Sequence, residues 1–419
     1  MRAIIGNTPL HGQVEAISSK SWLHRALICA AMGEQPTRLR WRSCGEDVAA
    51  TIRCLEALGA RLTPQTDGLS VCGGKTVSPA VLDCGESGST LRFLLPLAGA
   101  LGVQAAFYAS GRLPQRPLSP LYEQLGSHGY ALSEQGVVPL RGEGRLRGGV
   151  YRLPGNVSSQ YVSGLLMALP LLVDDSEIML TSKLESRPYV DLTLDLLRRF
   201  GVEIRETGDG FFVPGGQRPR TPGALTAEGD WSNAAFWLCA GALSAQGVTV
   251  SGLDPASRQG DRAVCDILSR FGAVLTVDGR RISARRGNLR GIDVDCAQIP
   301  DLLPVLAAVA AGAEGTTRFY HAQRLRLKES DRLKTVVQTL SALGARVQEQ
   351  PDGLTVEGCS CLEGGCVSGH NDHRIVMMAA VAAPLCKRPV CIEQAQAVDK
   401  SYPDFFRDAA LLSANVELQ

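Results

Sequence analysis

The chain has 419 residues, enough for two domains that each bury a core of their own. It is 45% hydrophobic and 20% charged, a globular rather than a disordered composition. A formal net charge of +1 excludes a global field that would recruit nucleic acid or an acidic membrane, so any anion site must come from basic groups that converge locally.

The opening residues, MRAIIGNTPLHGQ, are strand-like and lack a signal-peptide profile; no uncharged apolar stretch looks membrane-spanning. A cytoplasmic protein is expected. From residue 18 two kinds of phrase alternate. The first is a polar cluster ahead of an apolar helix: SSKSWLHRALICAA at 18, ESGSTLRFLLPLAG at 86, VSSQYVSGLLMALPLL at 157, DWSNAAFWLCAGAL at 230, AQIPDLLPVLAAVAA at 297 and HNDHRIVMMAAVAAP at 370. Each offers Ser, Asp or Asn where a helix needs an N-cap. The second phrase is a helix, a glycine, a short strand, a tight turn and another short strand. It occurs at 54–71, 121–138, 196–213, 267–284 and 340–358, with Asp-Gly at the turn in four of the copies. The glycines that close the helices are Gly59, Gly129, Gly201, Gly272 and Gly344, spaced by 70, 72, 71 and 72 residues. A further step of 71 lands on Asn415, in LLSANVEL, and Asn is the next best residue for a left-handed turn.

The chain therefore reads as six copies of one α/β unit, the last cut short. Three copies occupy 19–228. The other three follow, and residues 1–17 are expected to complete them, giving one domain of 1–18 plus 229–419 and another of 19–228. The Gly/Pro-rich stretch VPGGQRPRTPGAL at 213–225 leads into the second crossing between them. If equivalent helices are placed alike, their N-termini converge and trap anions.

Thirteen cysteines, an odd number in a large chain, read as reduced and mostly buried. The spacing of Cys359, Cys361, Cys366, His370 and His373 fits none of the usual zinc patterns, so no metal is expected. The basic residues beside the helix starts are Lys20, Arg25, Arg92, Arg116, Lys328, Arg332, Arg374 and Lys400. Taken singly, each is explained as a solvated helix edge or a cap neighbour.

Nine segments in order, SKSWLHRA (19–26), GESGSTLR (85–92), RPL (116–118), VSSQY (157–161), SRPYVD (186–191), IPD (299–301), KESDR (328–332), NDHR (371–374) and DKSYPDFF (399–406), resemble the enolpyruvyl transferase family over essentially the whole chain. Within it, the resemblance is to the members that act on shikimate 3-phosphate. It implies a two-domain inside-out α/β barrel with three repeated βαβαββ-type units per domain and an active site in the interdomain cleft, which closes on substrate. The implied reaction moves the enolpyruvyl group of phosphoenolpyruvate to the 5-hydroxyl of shikimate 3-phosphate and releases phosphate, a step of aromatic amino-acid biosynthesis. It needs no cofactor or metal, and the protein is expected to be a monomer.

Position by position, the resemblance implies that Asp301, Glu329 and Lys20 are catalytic. Asp301 would be the base beside the attacking hydroxyl, and Glu329 would shuttle the proton of the methyl carbon. Lys20, Ser21, Arg25, Ser158, Ser159, Gln160, Ser186, Asp301 and Lys328 would hold shikimate 3-phosphate. Lys20, Gly88, Arg116, Gln160, Arg332, Arg374 and Lys400 would hold phosphoenolpyruvate. It also implies competition by glyphosate, with Gly88 facing the inhibitor's middle. Glu86, Ser89, Phe93 and Arg324 depart from the commonest pattern. The sister enzyme acting on UDP-N-acetylglucosamine is the nearest alternative. It begins with Lys-Asn and commonly uses a loop Cys, whereas Lys20 is followed by Ser21 and no Cys lies between Cys84 and Cys239. A silent repeat scaffold or metabolite sensor is the alternative from another class, and it would have no use for Asp301, Glu329 and the full basic set together.

Overall fold

The computed structural model describes residues 1–419, which divide into two compact units: Met1–Ser19 with Glu228–Gln419, and Lys20–Ala227. Each unit holds three four-stranded sheets of one pattern. In a complete copy the strand Ala80–Asp83 leads into the helix Gly88–Leu101 and a parallel strand, Ala105–Tyr108. The helix Leu121–Ser127 follows, then the antiparallel strands Tyr130–Leu132 and Leu140–Gly144. Three other copies borrow a strand. Ala224–Thr226 pairs in parallel with Thr37–Arg40, so the end of the second unit completes its first sheet. Gly12–Glu15 pairs with Val248–Ser251, while Arg2–Ile5 lies between Val390–Glu393 and Val416–Leu418.

The cores follow from composition. The helices Gly88–Leu101, Ser159–Ala168, Trp231–Ala242, Leu303–Ala311 and His373–Ala382 are apolar on nearly every face, and such a helix must be enclosed. In each unit these helices pack together in the interior, with the sheets outside them. Their starts are the polar clusters. Ser87 accepts from Thr90 N, Ser158 from Gln160 N, Asp230 from Asn233 N and Asp372 from Arg374 N. The cluster at 297 differs, because Pro300–Leu302 forms a single 3-10 turn before the helix and no side chain caps it.

The five helix-closing glycines all have positive φ, from 70° to 97°. The turn glycines Gly68, Gly210 and Gly353 serve a second purpose: a Cβ at each would run into the carbonyl of Leu39, Ile178 or Phe319 on the adjoining strand. Two expectations are corrected. The left-handed residue closing the last copy is Ser413, at φ 65°, and not Asn415, because the helix there stops at Leu411. In the 121–138 copy the second strand starts beyond Val138, at Leu140, since Pro139 has no N–H to give the ladder. No helix is long and apolar enough to cross a membrane.

Candidate active site

In the unit Lys20–Ala227 most of the expected site residues lie at or near helix starts. Lys20 opens the helix Lys20–Met32 and its Nζ lies 2.9 Å from Asp47 Oδ2. One turn on, Arg25 is buried and held on all sides. Its Nε donates to Thr193 Oγ1 (2.6 Å), Nη1 to Ser21 O (2.7 Å), and Nη2 to Tyr189 O (3.1 Å) and Ser163 Oγ (3.3 Å). Burial lowers its pKa to about 10, so it stays charged at neutral pH. The guanidinium sits 4.9 Å over the ring of Phe93, which gives that departure from the common pattern a packing role.

Gly88 is the first residue of the helix Gly88–Leu101, and two guanidinium groups flank it. A Cβ there would come within 2.5 Å of Arg92 Nη1 and 2.9 Å of Arg116 Nη1. Arg92 Nη1 donates to Gln160 Oε1 (3.1 Å), whose Nε2 donates to Ser89 Oγ (2.9 Å). A helix N-terminus and two buried arginines thus meet at one glycine, an arrangement suited to a small anion. Arg92 is absent from the expected binding set. Its position one turn into the helix that Gly88 opens was the signal for it. Ser158, Ser159 and Ser186 lie at the starts of two more helices, Ser159–Ala168 and Arg187–Arg199, with Ser186 in the left-handed region at φ 52°. Glu185 N donates to Gly155 O (3.0 Å), tying together the loops that carry these serines.

The other unit holds a charged network around Asp301. Its Oδ1 lies 2.8 Å from Arg332 Nη1 and 3.4 Å from Lys328 Nζ, and its Oδ2 lies 3.5 Å from Arg374 Nη2. Arg332 is 1% exposed and also grips Asp372 through Nε (2.8 Å) and Glu329 through Nη2 (2.7 Å). Arg374 donates to Asp301 O (3.1 Å) and to Ser232 Oγ (2.9 Å), and Ser232 in turn donates to Asp261. Lys400 Nζ donates to Asn371 O (2.6 Å), beside the cap of the Arg374 helix. The structure therefore brings together Asp301, Lys328, Glu329, Arg332, Arg374 and Lys400 in one unit. Lys20, Ser21, Arg25, Gly88, Arg116, Ser158, Ser159, Gln160 and Ser186 belong to the other. Asp372, Ser232 and Asp261 are members of the network that the sequence reading missed. A buried cap, a helix-start serine and an acid in QGD carry no mark of their own. Arg324 turns to Ala297 O (2.6 Å).

Burial opposes the charge on Asp301, but Arg374, Lys328 and Arg332 outweigh it and hold the carboxylate far below its ordinary range. Burial and the charge of Asp301 push Asp261 the other way, up to about 6, although Arg374 and the Ser232 bond pull it down. A carboxyl raised on folding favours the folded state while it is protonated and loses that contribution as pH climbs through about 6. The stability difference between wild type and Asp261→Asn should therefore fall as pH rises between about 4 and 6, by at most about 1.4 kcal/mol per unit, and level off above. Urea unfolding across that range measures it; two parallel stability curves would contradict the raised carboxyl. No group of three His, Cys, Asp or Glu side chains is placed to hold a metal ion.

Helix starts, buried arginines and an ionised carboxylate among cations define the class: an α/β-repeat enzyme built for small anionic substrates. The chain matches the family described as EPSP synthase (3-phosphoshikimate 1-carboxyvinyltransferase) over residues 4–409. It is 42% identical to the 3-phosphoshikimate 1-carboxyvinyltransferase of Clostridium kluyveri, across 99% of this chain and 97% of that protein. It is 41% identical to that of Clostridium acetobutylicum, across 97% and 96%. EPSP synthase from Acinetobacter baumannii superposes with a TM-score of 0.82 at 25% identity and full coverage of both chains. An enolpyruvyl transferase from Streptomyces tendae, at 20% identity and a TM-score of 0.80, shares the fold. The chain belongs to the EPSP synthase family.

Proposed function

We propose that the protein transfers the enolpyruvyl group of phosphoenolpyruvate to the 5-hydroxyl of shikimate 3-phosphate, and that the clusters of the two units act on the same pair of substrates. The observation that carries this reading is the Asp301 network: a carboxylate and Glu329 set among Lys328, Arg332 and Arg374, cations of the kind that bind a phosphate or carboxylate. In the addition step Glu329 delivers a proton to the methylene of phosphoenolpyruvate while the 5-hydroxyl attacks C2 and gives its proton to Asp301, from which it passes to solvent. In the elimination step Glu329 takes a proton from the new methyl group and phosphate leaves. Asp301 is a weak base while three cations hold it. Substrate anions that engage Arg374 and Lys328 bring the negative charge that raises it towards a useful value.

Lys20, Gly88, Arg116, Gln160, Arg332, Arg374 and Lys400 are assigned to phosphoenolpyruvate. Ser158, Ser159 and Ser186 are assigned to the phosphate of the acceptor, with Ser21, Arg25, Gln160 and Lys328 orienting its ring. With this reading go a monomeric state and a cytoplasmic location, which light scattering and cell fractionation test. Phosphate release from phosphoenolpyruvate, measured in parallel with shikimate 3-phosphate and with UDP-N-acetylglucosamine, tests the reaction. Release should depend on the first acceptor, and dependence on the second would transfer the assignment to the sister enzyme.

Glyphosate carries a phosphonate and a carboxylate, so the cations assigned to phosphoenolpyruvate should grip it too. A methyl at Gly88 would press on Arg92 and Arg116 before reaching any ligand, and both arginines would have to move. Gly88→Ala should therefore weaken glyphosate by about 1–3 kcal/mol and raise the KM for phosphoenolpyruvate as well, by a smaller amount. Steady-state inhibition of the two proteins checks this, and an unchanged KM with unchanged inhibition would remove Gly88 from the site.

A further inference from the structure

The strand Gly365–Ser368 runs parallel to Val390–Glu393, and their register sets Cys366 directly opposite Cys391. Neighbouring strands lie about 4.8 Å apart, inside the span of roughly 4.4–6.8 Å between Cα atoms that a disulfide bridges. Val367 and Ile392 are buried, so the alternation of a strand turns both cysteines to the opposite, outer face of the sheet. Cys366 is exposed and Cys391 half-buried; burial and the adjacent Cys366 raise the Cys391 thiol above its ordinary value. Arg2, on the next strand, pairs with Glu393 at 3.0 Å, and its charge reaches both sulfurs. Nothing in the proposed reaction uses this pair.

We propose that Cys366 and Cys391 form a dithiol site that exchanges with small disulfides of the glutathione type and closes to a cross-strand disulfide. The more exposed Cys366, as thiolate, attacks one sulfur of the small disulfide; that S–S bond breaks and one small thiol leaves, protonated by solvent. Cys391 then gives its proton to solvent and attacks the Cys366 sulfur of the mixed disulfide, releasing the second small thiol. Two protein thiols are oxidised and one small disulfide is reduced to two thiols. The other cysteines are less suited. Cys29, Cys54, Cys84 and Cys239 are buried. Cys361 is exposed, but its neighbour Cys386 is buried, which hides the thiol that would have to resolve a mixed disulfide there. The crosslink would tie the strands leading into the loops of Arg374 and Lys400, where Gly369 N already donates to Glu393 O (2.8 Å) and Ser368 Oγ to Gln394 Oε1 (3.4 Å).

The test equilibrates the reduced, full-length protein against graded mixtures of oxidised and reduced glutathione, followed by acid quench, alkylation and mass spectrometry. The expected first product is lighter than the starting protein by two hydrogens, with Cys366 and Cys391 in one crosslinked peptide, while Cys361 carries at most a glutathionyl group. In Cys391→Ser the crosslink should be replaced by a lasting glutathionyl group on Cys366. Cys366→Ser changes only an exposed side chain and should abolish the crosslink in a protein whose circular dichroism is unaltered. Independent glutathionylation of Cys366 and Cys391, a Cys361–Cys386 bridge forming first, or free thiols at both positions when Cys361 is fully modified would each overturn the proposal.

Discussion

Asp301→Asn should lower turnover by about 10² to 10⁴ while the protein stays folded, because the amide keeps the shape of the side chain and cannot accept the hydroxyl proton. The same range is expected for Glu329→Gln, but with a different signature. Asp301 is assigned to the oxygen and Glu329 to the carbon, so in deuterated water exchange of label into the methylene of phosphoenolpyruvate should suffer most in Glu329→Gln. Shikimate 3-phosphate binding, followed by calorimetry, should weaken more in Asp301→Asn. The network also predicts a side effect. Without its carboxylate, Arg332, Arg374 and Lys328 lose a shared counter-ion, so phosphoenolpyruvate, assigned to Arg332 and Arg374, should bind more tightly to the resting protein, while shikimate 3-phosphate loses the acceptor for its hydroxyl. Turnover within a few-fold of wild type in either variant would remove that residue from the proton steps.

The second large effect is on stability. Arg332 bonds Asp301, Glu329 and Asp372 at once, and Asp372 is fully buried. Arg332→Met leaves that charge without its main counter-ion, a change that costs about 3–5 kcal/mol when a buried pair is broken from one side. Asp372 is held below its ordinary value chiefly by Arg332, against the effect of burial. A depressed carboxylate stabilises above its unfolded value of about 3.9 and stops doing so as pH falls through the folded value. The loss in Arg332→Met should accordingly be largest at neutral pH and shrink in acid. Adding Asp372→Asn should recover part of it, since the stranded charge is then gone. Arg2→Met, which breaks an exposed pair with Glu393, serves as the control and should change stability little. Equal urea midpoints for wild type and Arg332→Met would contradict the network described.

Much of this was legible because the repeat writes the same physical constraint several times. Closing glycines are fixed by a positive φ, and the Ser and Asp caps by unpaired N–H groups, so both recur at the repeat spacing. Where the constraint loosens, the reading slipped. A serine two residues before Asn415 makes the final turn at the end of a seven-residue helix. What the sequence could not show is partnership across elements. Asp372 is marked as a cap, and its bond to Arg332 depends on how two helices pack. Ser232 and Asp261 join the network through Arg374, on elements distant in the sequence. Cys366 and Cys391 face each other because of strand register, which a one-residue slip would undo and composition does not reveal.

The central claim is the identity of the bond formed. Phosphoenolpyruvate labelled with carbon-13 at C2, incubated with shikimate 3-phosphate and the full-length protein, reports it directly by nuclear magnetic resonance. The account predicts an enol ether carbon coupled to the proton at C5 of the shikimate ring, appearing with an equal amount of inorganic phosphate, and appearing about 10² to 10⁴ times more slowly when Asp301→Asn replaces wild type. Labelled pyruvate in place of the enol ether, or phosphate released without the acceptor, would contradict it.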